Sequence, residues 1–166
     1  MPSRHWVFAK LYHSLLLQYT DEMEILTDNG MDCNIGAKRN RMLQSAKGEY
    51  VVFVDDDDLV TPDYVSKIFS GMGADCIGIS GIMTVDGRDM KQWHISKQYG
   101  SWREENGVYL RTPNHISPVR REIALRVGFP EIEHGEDYAY SMGILPLLKT
   151  ENIVKGNIYH YKYVNK

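Results

Sequence analysis

Residues 51–62 read VVFVDDDDLVTP, an apolar run driven directly into four consecutive aspartates. Carboxylates 4 Å apart repel by about 1 kcal/mol in water and about 4 kcal/mol at a protein surface. Such a cluster calls for an offsetting cation. The apolar part spans Tyr50 to Val54 and is rich in β-branched residues, the pattern of a strand covered on both faces in a parallel sheet. Asp55–Asp58 therefore fall at a strand's carboxyl end, where open α/β sheets place their ligand crevice. Hard divalent cations such as Mn²⁺ or Mg²⁺ take oxygen ligands of this kind. The competing reading is a solvated acidic turn with no ligand.

Working outward, Phe8, Leu11, Tyr12, Leu15 and Leu16 recur at helical spacing, and EILT (24–27) reads as a short strand ending at Asp28, Asn29 and Gly30. IGAKRNRMLQSAKG (35–48) reads as a helix closed by Gly48. Beyond the aspartates, Thr61 and Pro62 suit the cap and first position of a helix whose buried face is Tyr64, Val65, Ile68 and Phe69. DCIGISGIMTVDG (75–87) reads as a strand with a turn at Asp86 and Gly87, and 90–114 as loops and short strands. SPVRREIALRVG (117–128) reads as a helix capped by Ser117 and ended by Gly128. A last helix is expected from Glu136 towards Leu145, stopped by Pro146, with NIYHYKYV (157–164) as a closing strand. This order predicts one α/β domain over 1–166 with a mostly parallel central sheet.

The charged share of 25% and apolar share of 43% are those of an ordinary globular domain. A net charge of -3 gives no reason to expect nucleic acid as partner. The opening MPSRHWVFAK lacks the apolar core of a secretory signal, and no stretch reaches a membrane span. A cytoplasmic protein is expected. Cys33 and Cys76 are isolated and read as reduced thiols.

The stretch IGAKRNRMLQSAKGEYVVFVDDDDLVTPDYV (35–65) resembles the family 2 glycosyltransferases. It has that family's ordered run of glycine, Ala-Arg-Asn-like triplet, Ala-x-Gly-Glu-Tyr, apolar strand, Asp-x-Asp-Asp and downstream proline. VRREIALRVGFPE (119–131) and FPEIEHGEDYAYSM (129–142) are similar to the family's Arg-Arg helix, Gly-Phe turn and later Glu-Asp motif. The resemblance implies a GT-A fold and transfer of a sugar from a nucleotide-sugar donor, UDP-sugar first, to an acceptor hydroxyl, with inversion.

By this resemblance Asp28 contacts the donor base or ribose, and Lys38 and Arg39 lie near the donor nucleotide; read as residues alone, the two cations equally suit a solvated helix face. Asp55 and Asp57 take the Asp-x-Asp positions and Asp56 the variable one. Asp55 and Asp56 are expected on the donor side, and Asp57, with Asp58 beside it, on the metal. Asp137 is the expected base and Glu136 its neighbour, although an acidic pair also simply suits a helix N-terminus. His160 matches a place where several such transferases hold the metal; among tyrosines on a strand it also reads as core. Asn114, His115, Trp93 and Trp102 are candidate acceptor or sugar contacts, the aromatics also reading as core or contact residues.

The family usually begins with a hydrophobic strand ending in a Pro-Thr-Tyr-Asn-like turn, and only PSR (2–4) stands in its place. An uncovered sheet edge invites pairing, so weakened donor binding or a homo-oligomer is expected. A nucleotidyltransferase and a non-catalytic sugar-nucleotide or sugar-binding module remain the alternatives.

Overall fold

CIGISGIMTV, at Cys76–Val85, forms the long central strand because its run of small and β-branched residues is buried on both sides. The computed structural model describes residues 4–164. In chain order the elements are α1 (Arg4–Leu16), α2 (Ile35–Ser45), β1 (Tyr50–Val51), β2 (Leu59–Val60), α3 (Tyr64–Ser70), β3 (Cys76–Val85), β4 (Arg88–Ile95), β5 (Arg103–Glu105), β6 (Val108–Arg111), β7 (Val119–Arg120), α4 (Arg121–Val127), α5 (Glu136–Ile144) and β8 (Glu151–Tyr163).

β3 pairs along one edge with β8, and along the other first with β7 at Cys76 and then with β4. The β3–β4 hairpin turns at Asp86 and Gly87, both with positive φ, as two-residue hairpins require. The expectation of a mostly parallel sheet needs correcting. Among the described residues only β3–β8 and β4–β6 run parallel, and the remaining pairings are antiparallel. The reason lies in the 88–111 region, where β4 runs antiparallel to β3 and β5 antiparallel to β6.

Two cores flank the sheet. Tyr64, Val65 and Ile68 of α3 pack on Ile77, Ile79 and Ile158, while Leu43 of α2 joins Val119, Ile123, Phe129, Tyr140 and Ile144. Three boundaries differ from the sequence reading. The helix expected from Thr61 starts at Tyr64, and the one expected from Ser117 starts at Arg121, because Val119 and Arg120 are drawn into the ladder with Tyr50 and Val51. EILT forms no strand, and only Tyr50 and Val51 of the YVVFV run enter a ladder. Among the described residues no helix is long and apolar enough to cross a membrane.

The first turn of α2 lies hard against the 129–131 turn: a Cβ on Gly36 would sit 2.0 Å from the Pro130 carbonyl oxygen. Gly36→Ala is therefore expected to cost about 1–3 kcal/mol, the scale of overpacking against unyielding backbone. Urea unfolding checks this, and an unchanged midpoint would contradict the contact.

Candidate active site

Arg39 is the node of the site. Asn34 caps α2, its side chain accepting from the Ala37 N–H at 3.0 Å, and one turn later Arg39 points inward at 4% exposure. Its Nη1 donates to Glu136 Oε1 at 2.5 Å and its Nη2 to Asp55 Oδ1 at 2.9 Å. The guanidinium also lies 6.0 Å from the Phe53 ring centre and 5.5 Å from that of Phe129. Asn40, the next residue, clamps the Gly-Phe turn: Nδ2 donates to the Phe129 carbonyl and Oδ1 accepts the Phe129 N–H, both at 2.8 Å. Thus the Lys-Arg-Asn triplet is the device that holds two distant motifs together.

His115 closes the arrangement. Its Nε2 lies 3.2 Å from Asp55 Oδ2 and its Nδ1 lies 3.9 Å from Asp137 Oδ2. That Nδ1 is buried without a hydrogen-bond partner. Glu136, Arg39, Asp55, His115 and Asp137 therefore form one continuous series of contacts from the start of α5 to the end of the 50–54 run and back. Burial pushes the Asp55 carboxyl up, but the His115 imidazole and the Arg39 guanidinium outweigh it and hold the group well below the usual carboxylate range. Glu136 is consumed by Arg39, whereas Asp137 keeps 29% of its side chain exposed. Asp137 Oδ1 accepts the Tyr138 N–H at 2.8 Å, which fixes its rotamer.

The acidic run is a turn, closed by the Asp58 N–H donating to the Asp55 carbonyl at 3.1 Å. Asp58 turns inward and is fully buried. Its oxygens accept from the Tyr159 hydroxyl and the Lys162 N–H, both at 2.7 Å. Asp56 is half-buried and Asp57 exposed. His160 sits on β8 opposite Leu59, with Nε2 2.9 Å from Thr84 Oγ1. Among the described residues no three His, Cys, Asp or Glu side chains converge into a metal cage.

Burial, reinforced by the Asp55 and Asp57 charges, pushes Asp58 up to about 7 against the two hydrogen bonds it accepts. In the unfolded chain it ionises near 3.8. Between those values the folded state holds the extra proton, so this contribution to stability is complete below about pH 4 and lost as pH rises through 7. Asp58→Asn removes the ionisation. The melting temperature of the variant minus that of wild type is expected to climb from pH 4 to pH 8; a flat difference would contradict the assignment.

On the segment leading into α2, Asp28 accepts the Gly30 N–H at 2.9 Å and the Arg41 Nε–H at 2.9 Å. The Gly30 N–H and then the Arg41 guanidinium hold its carboxyl below the usual range. Arg41 also binds Asp32, its Nη1 to Oδ2 at 2.7 Å. Lys38 lies half-buried on the same helix and adds positive charge near Asp28.

The expected sugar contacts divide. Trp93 is 5% exposed, donates to the Ile82 carbonyl at 3.0 Å and packs edge-on against Tyr159. It is core, with no ring face left for a sugar. Asn114 is buried in the turn before β7, its Oδ1 accepting the Ile116 N–H. Trp102 is half-buried, bonded to Thr112 Oγ1 at 2.8 Å, and meets Tyr138 edge-on with ring centres 5.2 Å apart. Arg111 lies over Trp102 at 5.2 Å, close enough to Asp137 to feel its charge. Trp102, Tyr138 and Arg111 thus gather beside Asp137.

Sequence reading missed Asn40, Arg41, Arg111, Tyr138 and Tyr159. Arg41 carried a signal, since it follows Asp28 and Asp32 on the next helix; the others depend on contacts remote in sequence.

A family model described as glycosyl transferase family 2 matches residues 18–132. The putative glycosyltransferase EpsH of Bacillus subtilis is 26% identical over 143 residues, covering 77% of this chain and 41% of that protein. An uncharacterized glycosyltransferase of Haemophilus influenzae is 28% identical over 117 residues, covering 68% of this chain and 46% of that one. The chain thus spans less than half the length of these curated relatives. The crystal structure of S. aureus TarS 1-349 in complex with UDP-GlcNAc superimposes with a TM-score of 0.68 at 17% identity, over 96% of this chain and 55% of that one. A UDP complex of the same protein superimposes with a TM-score of 0.56 at 22% identity, over 78% of this chain and 40% of that one. The TarS superposition gives the fold as GT-A. The matched segment contains α2, the acidic turn and the Phe129 turn, and on that match the chain belongs to glycosyl transferase family 2.

Proposed function

We propose that the chain transfers a sugar from a UDP-sugar to an acceptor hydroxyl with inversion, Asp137 acting as base. The observation that carries this is the contact series from Glu136 through Arg39, Asp55 and His115 to Asp137. Arg39 engages the Glu136 and Asp55 carboxylates of this series, while Asp137, 29% exposed, stands outside the guanidinium's grip. That TarS has been crystallised with UDP-GlcNAc and with UDP supports the donor class.

In this reading Asp137 takes the proton of the acceptor hydroxyl as its oxygen attacks the anomeric carbon, and the bond from that carbon to the diphosphate oxygen breaks. Single displacement inverts the centre. Glu136, locked to Arg39, holds the start of α5 in place. Asp28 and Lys38 face the nucleoside side, with Asp55 and Asp56 towards the donor. Trp102, Arg111, Tyr138, Asn114 and His115 line the acceptor side.

The donor set of the turn is all oxygen, which fits Mn²⁺ or Mg²⁺. Asp57 is exposed on the turn and takes the second Asp of the Asp-x-Asp pattern, and it would hold the ion jointly with the diphosphate. Such ions are commonly bound by one or two carboxylates plus phosphate oxygens. When bound, the ion neutralises charge developing on the leaving diphosphate. His160 would join by giving up its Thr84 bond. A cytoplasmic setting suits the free Cys33 and Cys76, and self-association remains part of the proposal.

Thermal shift against UDP, UTP and UDP-sugars, with and without Mn²⁺, tests the reading. A ligand at 100 times its Kd stabilises by about 2.7 kcal/mol. Stabilisation by UDP or UDP-sugar that needs Mn²⁺ is expected. Preference for UTP would favour nucleotidyl transfer, and no response would favour a non-catalytic module.

A further inference from the structure

His115 is more than a wall of the acceptor side. It is 8% exposed and stands on a turn that leaves it little freedom. The Phe53 N–H donates to its carbonyl at 2.9 Å, and the Ser117 N–H donates to the Asn114 carbonyl at 3.0 Å. The Asn114 N–H donates to Ser117 Oγ and the Ile116 N–H to Asn114 Oδ1, both at 3.2 Å. From this fixed base the ring reaches two carboxylates. Nε2 lies 3.2 Å from Asp55 Oδ2, and Nδ1 lies 3.9 Å from Asp137 Oδ2.

The second contact is unfinished. Nδ1 is buried without a hydrogen-bond partner, and a buried polar atom left so costs about 1–3 kcal/mol. A shift of about 1 Å by the Asp137 carboxylate would bring the pair to hydrogen-bond length. Hydrogen bonds between catalytic groups often become short only in the substrate complex.

We propose that His115 is a positioning residue for the base: in the donor complex its Nδ1–H donates to Asp137 Oδ2 while its Nε2–H holds Asp55 Oδ2. The carboxylate that takes the acceptor's proton is thereby tied to the turn that carries the donor, a role that rests on the transferase reading above. Donation from both nitrogens makes the ring an imidazolium. Asp137 Oδ1 already accepts the Tyr138 N–H, so a bond to Oδ2 leaves the carboxylate one orientation, and each oxygen keeps a lone pair for the incoming proton. Misplacing a reacting group by about 1 Å can lower a rate by about 10².

Two variants divide the ring between them. The amide nitrogen of glutamine is as many bonds from Cγ as Nε2, and that of asparagine as many as Nδ1. His115→Gln therefore keeps the donor to Asp55 and deletes the donor to Asp137, and His115→Asn does the reverse. UDP release is followed with water as acceptor, using the UDP-sugar that raises the wild-type melting temperature most. His115→Gln is expected to lower kcat about tenfold or more with donor KM within about threefold, and His115→Asn to raise donor KM with kcat within about threefold. Wild-type kcat in His115→Gln, or equal losses of kcat in both variants, would overturn the proposal. NMR of protein labelled with ¹⁵N-histidine reads the contact without turnover. With UDP and Mg²⁺ the His115 Nδ1 proton is expected to exchange slowly, and to lose that protection in Asp137→Ala. A proton unprotected in the complex, or equally protected in Asp137→Ala, would also overturn it. A wild type that binds no UDP in calorimetry defeats the transferase reading instead, and with it the role of His115 in transfer.

Discussion

Asp137→Asn is expected to lower turnover by about 10² or more while UDP affinity stays within a few-fold of wild type. The substitution keeps the side chain's shape and the Tyr138 N–H contact but replaces the oxygen facing His115 with a group that cannot accept the acceptor's proton. Rate of UDP release at saturating acceptor, compared with calorimetric UDP affinity, separates the two effects. Transfer within a few-fold of wild type would remove Asp137 as base. Glu136 is the adjacent carboxylate, but its bond to Arg39 would have to break first.

Arg39→Ala is expected to destabilise the fold by about 3–5 kcal/mol, the cost of stranding a buried charge by deleting its partner. Glu136, with only 9% of its side chain exposed, supplies most of that penalty; Asp55 retains His115 and partial exposure. Loss of the guanidinium from beside the Phe53 and Phe129 rings adds a packing defect. Guanidinium chloride unfolding at neutral pH measures the loss, and Arg39→Ala combined with Glu136→Gln should recover part of it. A loss below about 1 kcal/mol, the scale of an exposed ion pair, would contradict the picture of Arg39 as the node.

What the sequence disclosed follows from how local each signal is. α1, α2, α5, the β3–β4 turn and the second half of β8 were legible because periodicity, caps and turn residues lie within a few positions of one another, whereas 151–156 went unread. The acidic turn was legible because a charge cluster after an apolar run has few alternatives. EILT was misread as a strand because β-propensity describes a segment and not its partner, and among the described residues none pairs with it. Val119 and Arg120 look helical until the ladder to Tyr50 and Val51 competes for them. The roles of Arg39 and His115 were only half visible: residue type suggested a cation and an imidazole near a site, but their simultaneous contacts with Asp55 arise from partners 16 and 60 residues away. Trp93 was offered to a sugar for its aromaticity, and on β4 it turns inward over Gly81.

In the proposed reading the 55–58 turn holds a nucleoside diphosphate through a shared cation, and calorimetric titration of UDP decides it. Wild type in Mn²⁺ is expected to bind UDP, and to lose that binding both in EDTA and in Asp57→Asn, with the variant's melting temperature close to wild type because Asp57 is exposed. Metal-dependent UDP binding that persists unchanged in Asp57→Asn would contradict the assignment, as would UDP binding unaffected by EDTA.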